Sequence, residues 1–457
     1  MNYILNLRNK HQLMIIHSYY SKYLLLSFLI SFLLYIGLIL VTDTINGEFV
    51  CWQIFTIFSF FSSLYLGLKL KVKELFLLIF SYQIIFSYIL HWYFLFKTSS
   101  AFGFNAVDSV LYSQIAFQIK DMNWIESIRV IERYFYDLSD YGYPLFLKCV
   151  YTLGGSLENS IILLIFINCV MQTIVCIMTY DLSNMLLYDR YKSQWITLLW
   201  GLNTASVYLN ASGLKEPLFL FLSVATIWSI YKCKERKNIG WHILVWMLIT
   251  STWFFRYYLS LFFIIIYIGY YWFPYLYNRY FGVICIVSIV LCLYFTSLLV
   301  YYFPAIYYAL LNTEETFSSN GILFKYVSYL LAFLSPIPKY FQVATPQDLI
   351  MLVYSIVKFS FSIFVLLGSY FFIKHKKTQF YPLISIVLFN VLLLIVSGHM
   401  IEYRYSYVIM PCFFILMIAG MEYRNKYLLL YICFSRLLLF YCLICVCISL
   451  HENFGYF

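Results

Sequence analysis

Runs of about 20 apolar residues, separated by short clusters of lysine and arginine, recur along nearly the whole chain. Measured against one bilayer thickness, the pattern predicts about thirteen membrane-crossing helices. They lie at 23–42, 49–68, 75–96, 159–180, 193–210, 216–231, 240–255, 257–273, 281–303, 349–373, 380–398, 405–421 and 427–449. Arg256 divides the pair 240–255 and 257–273 without an obvious loop. Lipid offers no hydrogen-bond partner to an exposed backbone, so such runs fold as helices, and the alternating strands of a barrel are absent. The expected fold class is therefore all-α, a polytopic transmembrane helical bundle. Hydrophobic residues make up 63% of the chain and charged ones 11%, with a mean hydropathy of +0.82. A water-soluble globule of this length does not sustain such a composition.

The net charge of +10 does not indicate a nucleic-acid partner, because the basic residues form no compact face and lie between the spans. Arg8, Lys10 and Lys22, then Lys69, Lys71 and Lys73, Arg190 and Lys192, and Lys232, Lys234, Arg236 and Lys237 fall on one side of this threading. Arg279, then Lys374, Lys376 and Lys377, then Arg424 and Lys426 join them, and that side is expected to be cytoplasmic. Asp108, Lys215, Glu216, Arg256, His399, Glu402 and Arg404 then emerge together on the opposite face. Two long loops on that face, 97–158 and 304–348, are apolar enough to lie as interfacial helices against the bilayer. The 12 cysteines are scattered through apolar segments as packing residues. The first apolar run, 23–42, is too long for a cleavable leader and is expected to remain as an anchor. The domain reading is an N-terminal helix pair (1–74), a transmembrane module (75–425) and a C-terminal helix (426–457). Abundant Phe, Tyr, Ile and Lys fit an AT-rich bacterial source and an inner-membrane location.

Candidate chemistry concentrates in four stretches. In "VDSVLYSQIAFQI" a helix over 107–119 puts Asp108 and Tyr112 one turn apart on one side. Asp108 has two readings, a helix cap or a general base at the membrane surface. In "DLSDYGYPLFLKCVYTLGG" Pro144 can start a short helix and Gly154-Gly155 can stop it. Asp137 and Asp140 precede that helix as loop residues and as reserve carboxylates. In "NASGLKEPLFLFL" Lys215 and Glu216 stand at the start of a span, where an open helix N-terminus and a lysine suit a phosphate or merely decorate the helix end. In "SGHMIEYRYSYVIMP" His399, Glu402 and Arg404 bracket a tight turn, and Arg404 pairs with Glu402 or grips phosphate oxygens with its planar fork. Arg256, Lys358 and Arg436 sit within or beside apolar runs, where a charge calls for a partner or a role. No phosphate-binding loop, dinucleotide fingerprint or zinc motif occurs. No cofactor is implied, and a divalent metal is compatible with the acids but not indicated.

The order of these stretches resembles the GT-C superfamily of membrane glycosyltransferases, in the branch of protein O-mannosyltransferases and aminoarabinose transferases. The likeness rests on "VDSVLYSQIAFQI", "GYPLFLKCVYTLGG", "SGLKEPLFLFL" and the late "RYSYVIMP", and spans roughly residues 75 to 425. It implies a polyprenyl-phosphate-linked sugar donor, a glycan, lipid or protein acceptor, and inverting transfer on the outer face. Asp108 takes the place of the loop carboxylate that acts as base, and Lys215, Arg256 and Arg404 are candidates to neutralise the lipid phosphate. Asp108 is followed by Ser109 where many relatives carry a second acid.

Two rivals remain open at this point. An O-antigen-type oligosaccharide-unit polymerase shares the spans, the large outer loop and functional arginines. A lipid-linked glycan flippase or transporter belongs to a different class, and predicts broken helices and ionisable groups deep in the spans.

Overall fold

A computed structural model describes residues 60, 62–68, 70–103, 107–135, 140–287, 290, 346–397 and 407–423. The expected spans at 23–42 and 427–449, most of 49–68 and 281–303, nearly all of the loop 304–348, and Arg436 lie outside the described residues. Those described are almost entirely helical, with no strand among them. In chain order the helices are α1 (Val72–Thr98), α2 (Val107–Ile119), α3 (Trp124–Tyr134), α4 (Gly142–Gly154), α5 (Leu157–Leu187), α6 (Arg190–Gly201) and α7 (Thr204–Ala211). There follow α8 (Glu216–Arg236), α9 (Ile239–Trp253), α10 (Tyr257–Tyr267), α11 (Pro274–Arg279), α12 (Pro346–Lys374), α13 (Tyr381–Ser397) and α14 (Met410–Met421).

Two of them, α1 with 27 residues and α5 with 31, are long and apolar enough to cross a membrane. Local chemistry sets the ends of α5: the Ser156 side chain accepts from the Asn159 N–H at 3.2 Å, and Tyr188 closes the helix in the left-handed region. Asp189 then caps α6 through the N–H groups of Tyr191 and Lys192. The expected single span at 193–210 is two helices instead. Asn203 interrupts it, its side-chain oxygen accepting from Ala205 N–H at 2.8 Å and so starting α7 afresh inside an apolar run.

The helices run up and down, as their end contacts show. At one end, Lys192 pairs with Asp189 and Glu422, and Lys232 with Asp181 and Glu235. There too Tyr231 donates to the Gln379 carbonyl at 2.6 Å, and Gln379 to that of Leu186 at 3.2 Å. At the other end the backbone N–H of Gly142 donates to the Phe254 carbonyl at 3.1 Å, and the Tyr143 hydroxyl to that of Gly213 at 2.7 Å. Between the two ends three buried amides find partners, as burial away from water demands. Gln83 donates to Gly201 O at 2.6 Å, Asn210 to Gln83 Oε1 at 2.9 Å, and Asn168 to Asn210 O at 3.2 Å. Where α12 crosses α14 only glycine fits, because a Cβ on Gly420 would overlap the Phe364 carbonyl.

The segment between α1 and α5 is a folded cap on the bundle end. Its keystone is Lys148 of α4, buried, whose ammonium donates to the carbonyls of Ile119 at 2.6 Å and Met122 and to Ser127 Oγ at 3.0 Å, with the Lys120 carbonyl 3.5 Å away. One cation thereby satisfies the free carbonyls at the end of α2 and fastens α3. The stretch "YGYPLFLKCVYTLGG", expected at the bilayer surface, is largely turned inward: Tyr143, Leu147, Val150 and Tyr151 pack with Tyr112, Leu164 and Leu218. Removing the ammonium strands buried acceptors, a loss of roughly 1–3 kcal/mol each. Lys148→Met is expected to lower the thermal midpoint and to make residues 120–135 the first point of proteolytic cleavage. Unchanged melting and cleavage would contradict the keystone role.

Candidate functional site

The cap and the bundle meet around Tyr112, one turn into α2. Its ring is buried, stacked on Phe135 at 5.6 Å between centroids and edge-on to Tyr143 at 5.2 Å. The Lys215 ammonium stands 5.7 Å from the ring centre. Burial first, and then the charges of Asp140, Asp108 and Glu216, push the Tyr112 phenol well above its ordinary range, with Arg256 pulling the other way. Five charged side chains from four places in the chain therefore act on the Tyr112 ring or its hydroxyl. The N-terminus of α2 brings Asp108, the approach to α4 brings Asp140, the start of α8 brings Lys215 and Glu216, and the break between α9 and α10 brings Arg256.

Each is placed by local chemistry. Lys215 and Glu216 follow a turn at Gly213, whose φ of +68° and contact with the Phe102 ring leave no room for a side chain. Pro217 occupies the first turn of α8, where its missing N–H leaves no bond unmade. Arg256 lies at an extended backbone between α9 and α10, its N–H held by Thr252 O at 2.9 Å. Asp108 is exposed within the first turn of α2, near that helix's free N–H groups.

The structure pairs Lys215 with Asp140, which sequence reasoning held only in reserve. Burial alone would raise the Asp140 carboxyl, but the Lys215 ammonium and the Arg256 guanidinium together hold it below its ordinary 3.8. Lys215 is lowered, chiefly by burial and next by Arg256, while Asp140 and Glu216 oppose the shift. Glu216 is buried, and its Oε2 has no hydrogen-bond partner among the described residues. This end of the bundle thus offers two cations, an engaged carboxylate, an exposed carboxylate and an unused buried acceptor.

His399, Glu402 and Arg404 lie outside the described residues, as does Asp137. Lys358 is buried within α12. Among the described residues no three His, Cys, Asp or Glu side chains are grouped to hold a metal ion. Sequence reasoning missed Asp140 as the partner of Lys215 and Phe135 as the floor under Tyr112. The aromatic and acidic run "YFYDLSDYGYP" was the available signal for both. No family model, no curated protein and no solved structure matches this chain.

Asp140 contributes stability that is present above pH 3.8 and is lost as the pH falls through its depressed value. Asp140→Asn removes the anion that keeps Lys215 protonated. The pH at which an amine-selective reagent half-modifies Lys215, read by mass spectrometry, is expected to move down in this variant. An unmoved midpoint would contradict the pairing.

Proposed function

We propose that this chain is a polytopic membrane glycosyltransferase of the GT-C kind, with about thirteen spans, placed in a bacterial inner membrane with its site on the outer face. It moves a sugar from a polyprenyl-phosphate donor to an acceptor hydroxyl, with inversion. The observation that carries this reading is the convergence of Lys215, Arg256, Asp108 and Glu216 on one buried aromatic ring at the end of the bundle.

The chemistry assigns each group a task. The Asp108 carboxylate takes the proton of the acceptor hydroxyl, whose oxygen then attacks the anomeric carbon as the bond to the phosphate oxygen breaks. The leaving phosphate gains negative charge, and Lys215 and Arg256 stabilise it where water is scarce. Asp140 is an unsuitable base, because its carboxylate is engaged by Lys215, which weakens its hold on a proton. It works as the counter-ion that sets Lys215 in place. Glu216 Oε2 is an acceptor for a sugar hydroxyl, and the aromatic floor of Tyr112, Phe135 and Tyr143 suits the face of a sugar ring. Arg404 retains the phosphate-neutralising role that the resemblance gives it, and His399 and Glu402 stay candidate substrate contacts in the same turn.

One feature favours the transport reading instead: the break at Leu202–Asn203 within the buried interior, where Trp200 Nε1, Asn203 Nδ2 and Thr204 Oγ1 lack hydrogen-bond partners among the described residues. The two readings separate in one assay with purified protein and a panel of polyprenyl-phosphate sugars. Asp108→Asn is expected to slow sugar transfer by about 10²- to 10⁴-fold. Transfer at the native rate by Asp108→Asn would exclude it as base. Loss on Arg256→Ala and Arg404→Ala with Asp108 dispensable would favour the polymerase. Movement of the intact donor across vesicles without any transfer would favour the transporter.

A further inference from the structure

Helix α3 is the part of the cap that no role above accounts for. Asn123 caps it through the Glu126 N–H at 2.9 Å. Ser127, Val130 and Ile131 seat it against Ile115, Ile119 and Tyr141. A second apolar strip on the same helix has no such seat: Trp124 is 55% exposed, Ile125 67% and Ile128 36%. Spacing of one, three and four residues places these three side by side along one edge, between the seated face and a flank bearing Arg129 and Arg133.

Three features indicate what covers this edge. First, the turn that leads into it is fastened beside a helix long enough to cross a membrane. Lys120 donates to the Gly155 carbonyl at 2.9 Å, which fixes the α2–α3 turn at the mouth of α5. Leu153 of α4, just before that turn's anchor, and Leu157, Ile162 and Phe166 of α5, after it, are also exposed apolar side chains. Secondly, Trp124 sits at the rim, its ring 5.6 Å from the Lys148 ammonium, an arrangement suited to the boundary between hydrocarbon and water. Thirdly, the charges balance: Lys120, Arg129 and Arg133 stand beside Asp121, Glu126 and Glu132. That balance gives no long-range attraction to a charged partner, so apolar burial is the remaining driving force.

We propose that the Trp124, Ile125 and Ile128 edge of α3 lies in the interfacial layer of the lipid bilayer. It is an amphipathic float clamped by Lys148, and it fixes the height of the Tyr112 cluster above the hydrocarbon. The inference rests on the reading that α5 spans a membrane. It moves the interfacial role from α4, whose apolar side chains mostly face inward, to α3.

The test is site-specific photocrosslinking of the full chain in lipid nanodiscs, with p-benzoylphenylalanine at position 125, at 133 on the charged flank, and at 166 on the exposed face of α5. Position 125 is an exposed side chain, so its replacement leaves the fold intact. Lipid adducts are expected at 125 and 166 and absent at 133, with the yield at 125 unchanged between zwitterionic and anionic lipid. Crosslinks from 125 to a second copy or to another protein would overturn the proposal. So would the absence of a lipid adduct at 125 while 166 forms one. Failure at 166 as well would overturn the spanning reading on which the proposal rests.

Discussion

The contact between Asp140 and Lys215 ties the cap to the bundle, and the arrangement of the candidate site depends on it. The partners are 75 residues apart in sequence and partly shielded from water, their side chains 29% and 14% exposed. An ion pair in such a place contributes little net stability, since desolvation offsets most of the attraction. Its physical effect is register. With the neighbouring bonds from Gly142 to Phe254 and from Tyr143 to Gly213, it fixes where α2 and α4 stand over the start of α8.

Two cap-facing lysines show how environment divides labour between identical side chains. Lys148 is surrounded by carbonyl oxygens and a hydroxyl, so its charge is used up in closing helix ends. Lys215 has one carboxylate partner, an aromatic face and a second cation nearby. Lys215 and Arg256 repel each other, and the carboxylates of Asp140 and Glu216 beside Lys215 offset that repulsion.

Much of the local structure was legible in the chain, because it is written in neighbouring residues. The helix over 107–119 occurs as its spacing predicts, and the helix between Pro144 and Gly154 has the expected stop, beginning slightly earlier at Gly142. Of the group expected together from the alternation of basic and apolar segments, Asp108, Lys215, Glu216 and Arg256 lie near one another at one end, while His399, Glu402 and Arg404 lie outside the described residues. The break at Asn203 was not anticipated, because a lone capping residue inside an apolar run changes hydropathy too little to register. The partner of Lys215 and the ligands of Lys148 were not legible either: both depend on how the cap folds back on the bundle, a non-local fact. Helix α3 is marked by Asn123 and by apolar spacing. It passes for a polar loop when hydropathy alone is read.

Lys215 and Arg256 are proposed to form an anion site for a lipid phosphate. The most direct measurement compares the affinity of purified protein for a polyprenyl phosphate with that for the matching polyprenol, which lacks only the anion. The parent chain is predicted to prefer the phosphate by about tenfold or more, and Lys215→Met with Arg256→Ala to bind the two lipids alike. Equal binding of phosphate and alcohol by the parent, or an undiminished preference in the double variant, would contradict the claim.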